Sequence, residues 1–354
     1  MDKMRVMHLI TGLRHGGAEV LLLELLSSVK TSEFHYHVVA IGNEFNLEKE
    51  FRDRNIDLTI IKVRKNLFSF LRALFLLILI IRKNKIKILH VHMFHALVMG
   101  LFCKLFLPHL NIVFTSHNVI FKSSMSESDF RMNFIKWTKS FRRADVLFTN
   151  SELNIYTNNK FIIPNGVVVS NNTDVKKFEK FTFISVGRLE YQKNHSAIIE
   201  IAKNLIGIGL QFELIIVGEG VLRYDLQNLI NSSGLQDNVT LCGHRKDVNE
   251  LMQKSYCFLM PSLWEGMPIS ILEAGIAKLP VIATPVGSIT EMLNNDCGIV
   301  TTLNDFESKM KWALTNYNSL KKYGENLHKK VVKDYSIERI LELHESMYNI
   351  VLNS

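Results

Sequence analysis

Short apolar runs alternate with helical ones twice along this chain, and no other feature constrains the fold as tightly. In the first series, strand-like runs at Val6 to Ile10, His37 to Ile41, Leu58 to Lys62 and Ile88 to His92 are separated by helix-like segments. These are Ala18 to Val29, Leu47 to Asn55 and an apolar helix ending near Lys83. Strand, helix and strand in turn predict a parallel sheet covered by helices on both faces. Further strands fit Asn111 to Ser116, Val146 to Asn150 and Phe161 to Ile163. A polar run from Ser170 to Lys180 has no apolar period and reads as a linker. A second series follows at Phe181 to Gly187, Phe212 to Val217, Val239 to Cys242, Cys257 to Met260 and Val281 to Thr284. The spacing of Ile337, Ile340, Leu341, His344, Met347 and Val351 predicts a closing helix over Ser336 to Leu352. A chain of 354 residues has room for two such α/β domains.

The two halves differ in charge. Residues 1 to 180 carry 26 basic and 15 acidic side chains, the rest 16 and 19. A basic half suits nucleic acid, an anionic leaflet or phosphorylated substrates. Nucleic acid is set aside because the basic residues form no aromatic-interleaved tract. Cys103, Cys242, Cys257 and Cys297 lie far apart with no C-x-x-C pair, as reduced thiols of a cytoplasmic protein do. Ala73 to Ile81 is the most apolar stretch, too short to span a bilayer; core packing is the expectation for it, and a helix lying at a membrane interface between its flanking Arg and Lys is the other reading. The basic cluster Arg131, Lys136, Lys139, Arg142 and Arg143 is the better membrane-facing candidate, or else a solvated helix face.

In open α/β sheets, ligands bind beyond the carboxyl ends of the strands. The segment Pro261-Ser-Leu-Trp-Glu-Gly-Met-Pro-Ile-Ser-Ile-Leu-Glu-Ala274 follows one strand. Pro268 suits the first turn of a helix, which would leave the N–H groups of Gly266 to Ser270 open to an anion. Glu265 and Glu273 flank that turn. Beside a diphosphate, carboxylates are tolerated where they address neutral hydroxyls, so ribose and sugar diols are their targets; the plain alternative is one capping and one surface glutamate. After the strand Phe183 to Val186 comes Gly187-Arg-Leu-Glu-Tyr-Gln-Lys193-Asn194. Arg188 offers a planar fork and Lys193 a mobile point charge, a pair suited to adjacent phosphates, or else two solvated loop cations.

Taken in order, Gly-Gly-Ala-Glu (16 to 19), Ser-His-Asn-Val (116 to 119), Pro-Asn-Gly-Val (164 to 167), Val-Gly-Arg-Leu (186 to 189) with Lys193, and the Glu265/Glu273 block resemble the retaining GT-B glycosyltransferases of the group-1 class, family 4-like. The likeness runs from about Arg5 to Tyr348 and is most specific at the glutamate block with Leu279 to Thr284. It implies an α/β fold of two Rossmann-like domains facing across a cleft: an acceptor-side domain over 1–168, completed by the C-terminal helix 336–354, a linker at 169–180, and a nucleotide-sugar domain over 181–335. It further implies that Arg188 and Lys193 hold the donor diphosphate, Glu273 the ribose and Glu265 the transferred sugar, aided by Gly266, Met267, Pro268 and Ile269. Gly16 and Gly17 would close over the diphosphate from the opposite domain, with His117 near the anomeric carbon and Gly243 and Arg245 near the nucleobase. Met267-Pro268 stands where Phe-Gly is commoner, which resembles a bacterial surface-polysaccharide subgroup. Lys278 stands where the family often has a small residue or glycine, and Gly287-Ser288 where it often has Gly-Gly.

The resemblance thus implies transfer of a sugar from a nucleotide-diphosphate donor, with a lean to UDP, to a lipid-linked saccharide at the inner membrane face. The class expected to use it is capsule, O-antigen or exopolysaccharide assembly. No cofactor is expected, and no metal: His90, His92 and His95 have a ligand-like H-x-H-x-x-H spacing, but no Asp-x-Asp is present to hold a divalent ion against a diphosphate. Two competing readings are a silent sugar-nucleotide-binding partner of another transferase and a nucleotide-sugar epimerase.

Overall fold

The computed structural model describes residues 3–14, 16–64, 66–116, 144–148, 160–169 and 175–353. His117, Asn118, Val119 and the cluster from Arg131 to Arg143 lie outside them. The chain divides into two compact units, Met1–Val168 with Ile337–Ser354, and Val169–Ser336.

The first unit holds β1 (Met4–Ile10), β2 (Phe34–Gly42), β3 (Leu58–Lys62), β4 (Ile88–His92), β5 (Asn111–Ser116), β6 (Ala144–Phe148) and β7 (Lys160–Ile162). They pair in parallel in the order β3-β2-β1-β4-β5-β6-β7, so strand order reverses between β1 and β4. Helices α1 (Gly17–Ser27), α2 (Glu48–Asp53), α3 (Leu67–Lys83) and α4 (Phe94–Phe106) connect the early strands. Successive side chains of β1 point to opposite faces. Met7 and Leu9 join the core under α3 and α4, whereas Val6 meets the C-terminal helix Ile337–Asn353. Burial on both faces explains why such strands read as unbroken apolar runs.

The C-terminal helix buries Ile337, Ile340, Leu341, Met347 and Tyr348 against this sheet. Its approach requires a glycine: a Cβ on Gly166 would lie 2.9 Å from Ile340 Cγ1 and 3.0 Å from Ile337 Cδ1. The Ile337 amide donates to the Val167 carbonyl at 2.9 Å.

Beneath that helix sits a layer of buried histidines. His8 Nδ1 lies 2.9 Å from His92 Nε2, and His90 hydrogen-bonds Tyr348 Oη (2.6 Å) and Thr115 Oγ1 (2.7 Å). Burial holds the rings neutral, lowering His8 from 6.5 to about 3 and His344 from 6.5 to about 4. Unfolding frees these rings to take up protons, so their contribution is full above the ordinary histidine value and falls as pH drops towards 4. The expected loss is about 1.4 kcal/mol per histidine and pH unit within that window. Urea midpoints measured at about pH 7.5 and pH 5 should therefore differ, the acid one being lower; equal midpoints would contradict neutral buried rings.

The expectation of core packing for Ala73 to Ile81 holds for one side of α3 only. Ala73, Leu74, Leu77 and Ile81 are buried, while Phe75 and Leu79 are exposed. A continuous apolar run hides the division, because a helix turns only part of its circumference to a sheet.

The second unit holds β8 (Thr182–Val186), β9 (Glu213–Val217), β10 (Val239–Gly243), β11 (Cys257–Met260), β12 (Val281–Ala283) and β13 (Ile299–Val300), parallel in the order β10-β9-β8-β11-β12-β13. Its helices are α5 (His195–Gly207), α6 (Arg223–Ser232), α7 (Val248–Lys254), α8 (Ile269–Ile276), α9 (Ile289–Met292), α10 (Leu303–Thr315) and α11 (Tyr317–Asp334). The described end of the expected linker is docked on this unit: the Phe178 amide donates to Lys254 O at 3.0 Å, and Tyr256 Oη to Phe178 O at 3.0 Å. Polarity alone did not distinguish a docked extended segment from a free one.

Candidate functional site

Strand order in the second unit reverses between β8 and β11, the point at which the loops beyond two neighbouring strands diverge and leave a crevice. The loop after β8 carries Arg188 and Lys193; the loop after β11 carries Ser262, Glu265 and the start of α8. Sequence reasoning treated these as two constellations, and the fold brings them together. Lys193 Nζ lies 2.6 Å from Glu265 Oε1, with only 16% and 6% of the side chains exposed. Ser262 Oγ donates to the same oxygen at 2.7 Å, and Gln192 Nε2 reaches Oε2 at 3.3 Å and the Trp264 carbonyl at 2.8 Å. The expectation of a mobile Lys193 is therefore corrected: a carboxylate 72 residues away in sequence fixes its ammonium. A buried pair of this kind needs further donors on the carboxylate, and Ser262 and Gln192 supply them.

Glycine-mediated close packing shapes the edge of the crevice. The Gly187 amide donates to Val217 O at 3.0 Å and the Gly218 amide to Gly243 O at 2.9 Å, so the loops after β8, β9 and β10 interlock. Gly218 has φ +144, and a Cβ there would overlap the Gly187 carbonyl oxygen. Gly218, Gly220, Glu219, Gln192 and Ser262 escaped sequence reasoning. The signal available was Gly218-Glu-Gly220 directly after a strand.

Pro268 is the N-cap of α8 (φ −74, ψ 116) rather than a residue of its first turn. No side chain caps this end, so the first amides of α8 stay available to an anion. Gly287, with φ +57, lies so close beneath that a Cβ would meet the Glu265 and Gly266 carbonyl oxygens. Ser288 Oγ and its amide both donate to Gly266 O, at 2.9 and 3.0 Å. The Gly287-Ser288 variation thus supports the loop directly. Met267 is buried beside it. Glu273 is half-buried in α8, and desolvation raises its carboxyl above the ordinary range.

Arg188 is exposed and pairs with Glu190 at 2.8 Å, an arrangement that solvent and a competing phosphate can open. Arg245 pairs with Asp247, with Nε at 2.8 Å from Oδ1, a solvent-exposed pair of the same kind as Arg188–Glu190. Gly243 has φ +68, and a Cβ would approach Glu219 Oε1 at 2.8 Å.

In the first unit, Gly16 caps α1 and Gly17 opens it. A Cβ on Gly16 would collide with the Glu19 carboxylate, which is buried and has its pKa raised by desolvation. The glycine turn is therefore already addressed by a carboxylate of its own helix. Across the strand-order reversal, Met93 adopts φ +71 and its sulfur lies 3.8 Å from Thr11 Oγ1. His92, not His95, joins His8 and His90 in a buried cluster whose ligand atoms lie within 4.8 Å of one another. Both nitrogens of His90 are engaged by Tyr348 and Thr115, so the rings already serve one another and the C-terminal helix.

The comparisons agree with this architecture. Residues 15–170 match the family described as Glycosyltransferase Family 4, and residues 170–330 the family described as Glycosyl transferases group 1. An Escherichia coli UDP-Gal:alpha-D-GlcNAc-diphosphoundecaprenol alpha-1,3-galactosyltransferase is 29% identical over 330 residues, which is 85% of this chain and 82% of that protein. The Staphylococcus aureus capsular polysaccharide biosynthesis glycosyltransferase CapH is 24% identical, covering 81% of this chain and 83% of its own. Among solved structures, HepE from Anabaena in complex with UDP superposes with a TM-score of 0.82 at 16% identity, covering 98% of this chain and all of that one.

Proposed function

We propose, from the premise that this chain belongs to the group 1 glycosyltransferases of GT-B fold, that it moves a hexose or N-acetylhexosamine from a UDP donor to a saccharide carried on a lipid diphosphate. Configuration at the anomeric carbon is retained in this reading, and the pathway is assembly of a bacterial surface polysaccharide. The observation that carries it is the meeting of Arg188, the Lys193–Glu265 pair and the uncapped start of α8 at one reversal of strand order. As the bond between the anomeric carbon and the diphosphate oxygen breaks, negative charge grows on the departing group. Lys193 and the α8 amides then stabilise it from positions already fixed, and Arg188 joins them on leaving Glu190. The acceptor oxygen bonds to the anomeric carbon, and its proton passes to the departing phosphate on the same face. Glu265 steadies the sugar and developing positive charge, while Glu273 accepts from ribose hydroxyls. His117 is assigned to the sugar or the acceptor by its motif. Protein cations take the place of a divalent ion in this reading.

Product analysis tests it. With EDTA present, a UDP-hexose or UDP-N-acetylhexosamine and a polyprenyl-diphosphate-linked saccharide should yield a lipid-linked product whose new bond keeps the donor's anomeric configuration. Absence of transfer from every UDP-sugar would overturn the reading, and interconversion of the free donor without acceptor would favour an epimerase.

A further inference from the structure

The outer sides of α3 and α4 expose an apolar surface that nothing in the site explains. On α3, Phe68 is 80% exposed, Leu67 72%, Phe75 61% and Leu71 52%. On α4, Leu105 and Phe106 are 56% and 58% exposed. The two helices lie side by side on one face of the first unit's sheet, and Phe70 meets Phe102 edge-on with ring centroids 5.8 Å apart. Scattered exposed leucines are ordinary, but several large residues on two adjoining helices amount to a surface that avoids water only when covered.

The charge around it is one-sided. Between Asp57 and Glu127 the sequence contains no acidic residue and ten Lys and Arg. Arg72 lies within α3, Arg82 and Lys83 form its last turn, and Lys85 and Lys87 follow, all exposed. A protein partner with an acidic, apolar face would need matching shape, whereas an anionic bilayer supplies diffuse negative charge above an apolar interior with no fixed shape. Among the described residues no helix is long and apolar enough to cross a membrane, and α3 has 17 residues.

We propose that the exposed face of α3 and α4 docks on the surface of an anionic lipid bilayer, with the phenylalanines and leucines entering at headgroup depth and the basic residues meeting lipid phosphates. Partition of this kind scales with the apolar area buried plus the attraction of each nearby Lys or Arg to the leaflet. The inference stands apart from the donor chemistry, because both helices belong to the first unit and the described crevice residues to the second.

Flotation with vesicles tests it, comparing phosphatidylglycerol–phosphatidylethanolamine with pure phosphatidylcholine. The native chain should float with the anionic vesicles, less so as salt is raised. Phe68→Ser/Phe75→Ser should lower partitioning about tenfold or more with an unchanged melting temperature, since both rings are exposed. Arg82→Glu/Lys83→Glu should lose binding to anionic vesicles selectively. A native chain that stays unbound, or a phenylalanine variant that floats like the native one, would overturn the proposal. So would a concentration-dependent dimer abolished by the same phenylalanine changes, which would give the face to a second copy of the chain.

Discussion

Replacing Lys193 by alanine is expected to lower kcat/KM about 10³-fold, or ~4 kcal/mol of transition-state stabilisation. Two losses combine. The departing diphosphate loses a cation held at a fixed point, and Glu265 loses the ammonium 2.6 Å from its carboxylate. A lone carboxylate at 6% exposure then repels the charge that develops on the leaving group. Ser262 and Gln192 still donate to it, so the expected drop in folding stability is moderate, about 2 kcal/mol. A double-variant cycle separates the two effects. Lys193→Met with Glu265→Gln should recover most of the lost stability, because no unpaired charge stays buried, yet none of the turnover. Recovery of activity in the double variant would mean that Lys193 serves only as the counter-ion of Glu265.

Gly218→Ala is expected to cost about 3 kcal/mol or more, among the largest effects of any single methyl group in this chain. At φ +144 an L side chain is strained, and its Cβ would overlap the Gly187 carbonyl oxygen. Both backbones belong to interlocked loops, so neither can yield without breaking the Gly187–Val217 or Gly218–Gly243 hydrogen bonds. Arg188, one residue further on, moves with them, and donor affinity should fall with stability. Gly207→Ala is the control. Gly207 ends α5, and a Cβ there would meet no atom within 4 Å, so the change should be neutral or slightly stabilising. Equal melting temperatures for the two variants would contradict this account of the loop.

The fold was legible where strands are buried on both faces. Ile88–His92 and Cys257–Met260 are buried throughout and end where their apolar runs end. Helix α4 was not assigned from the sequence, since Phe94 to Phe106 is apolar on most sides and carries little periodicity. The residues of the candidate site were legible as loop motifs beyond strands, but their mutual arrangement was not. Lys193 and Glu265 are joined by strand order, which brings β8 beside β11, and no local pattern encodes that neighbourhood. The pairing of Arg245 with Asp247, two residues on, was likewise not marked by any motif. Gly218 was overlooked because a glycine's reason for being there is the backbone it touches.

The central claim is that the fixed Lys193, the exposed Arg188 and helix amides of the second unit hold the leaving diphosphate. Calorimetric titration of UDP into the native chain, Lys193→Ala and Arg188→Ala tests it most directly, with uridine as the uncharged comparison. The account predicts UDP binding by the native chain, weakened about tenfold or more in each variant, with uridine affinity the same in all three. UDP affinity unchanged in both variants would contradict it.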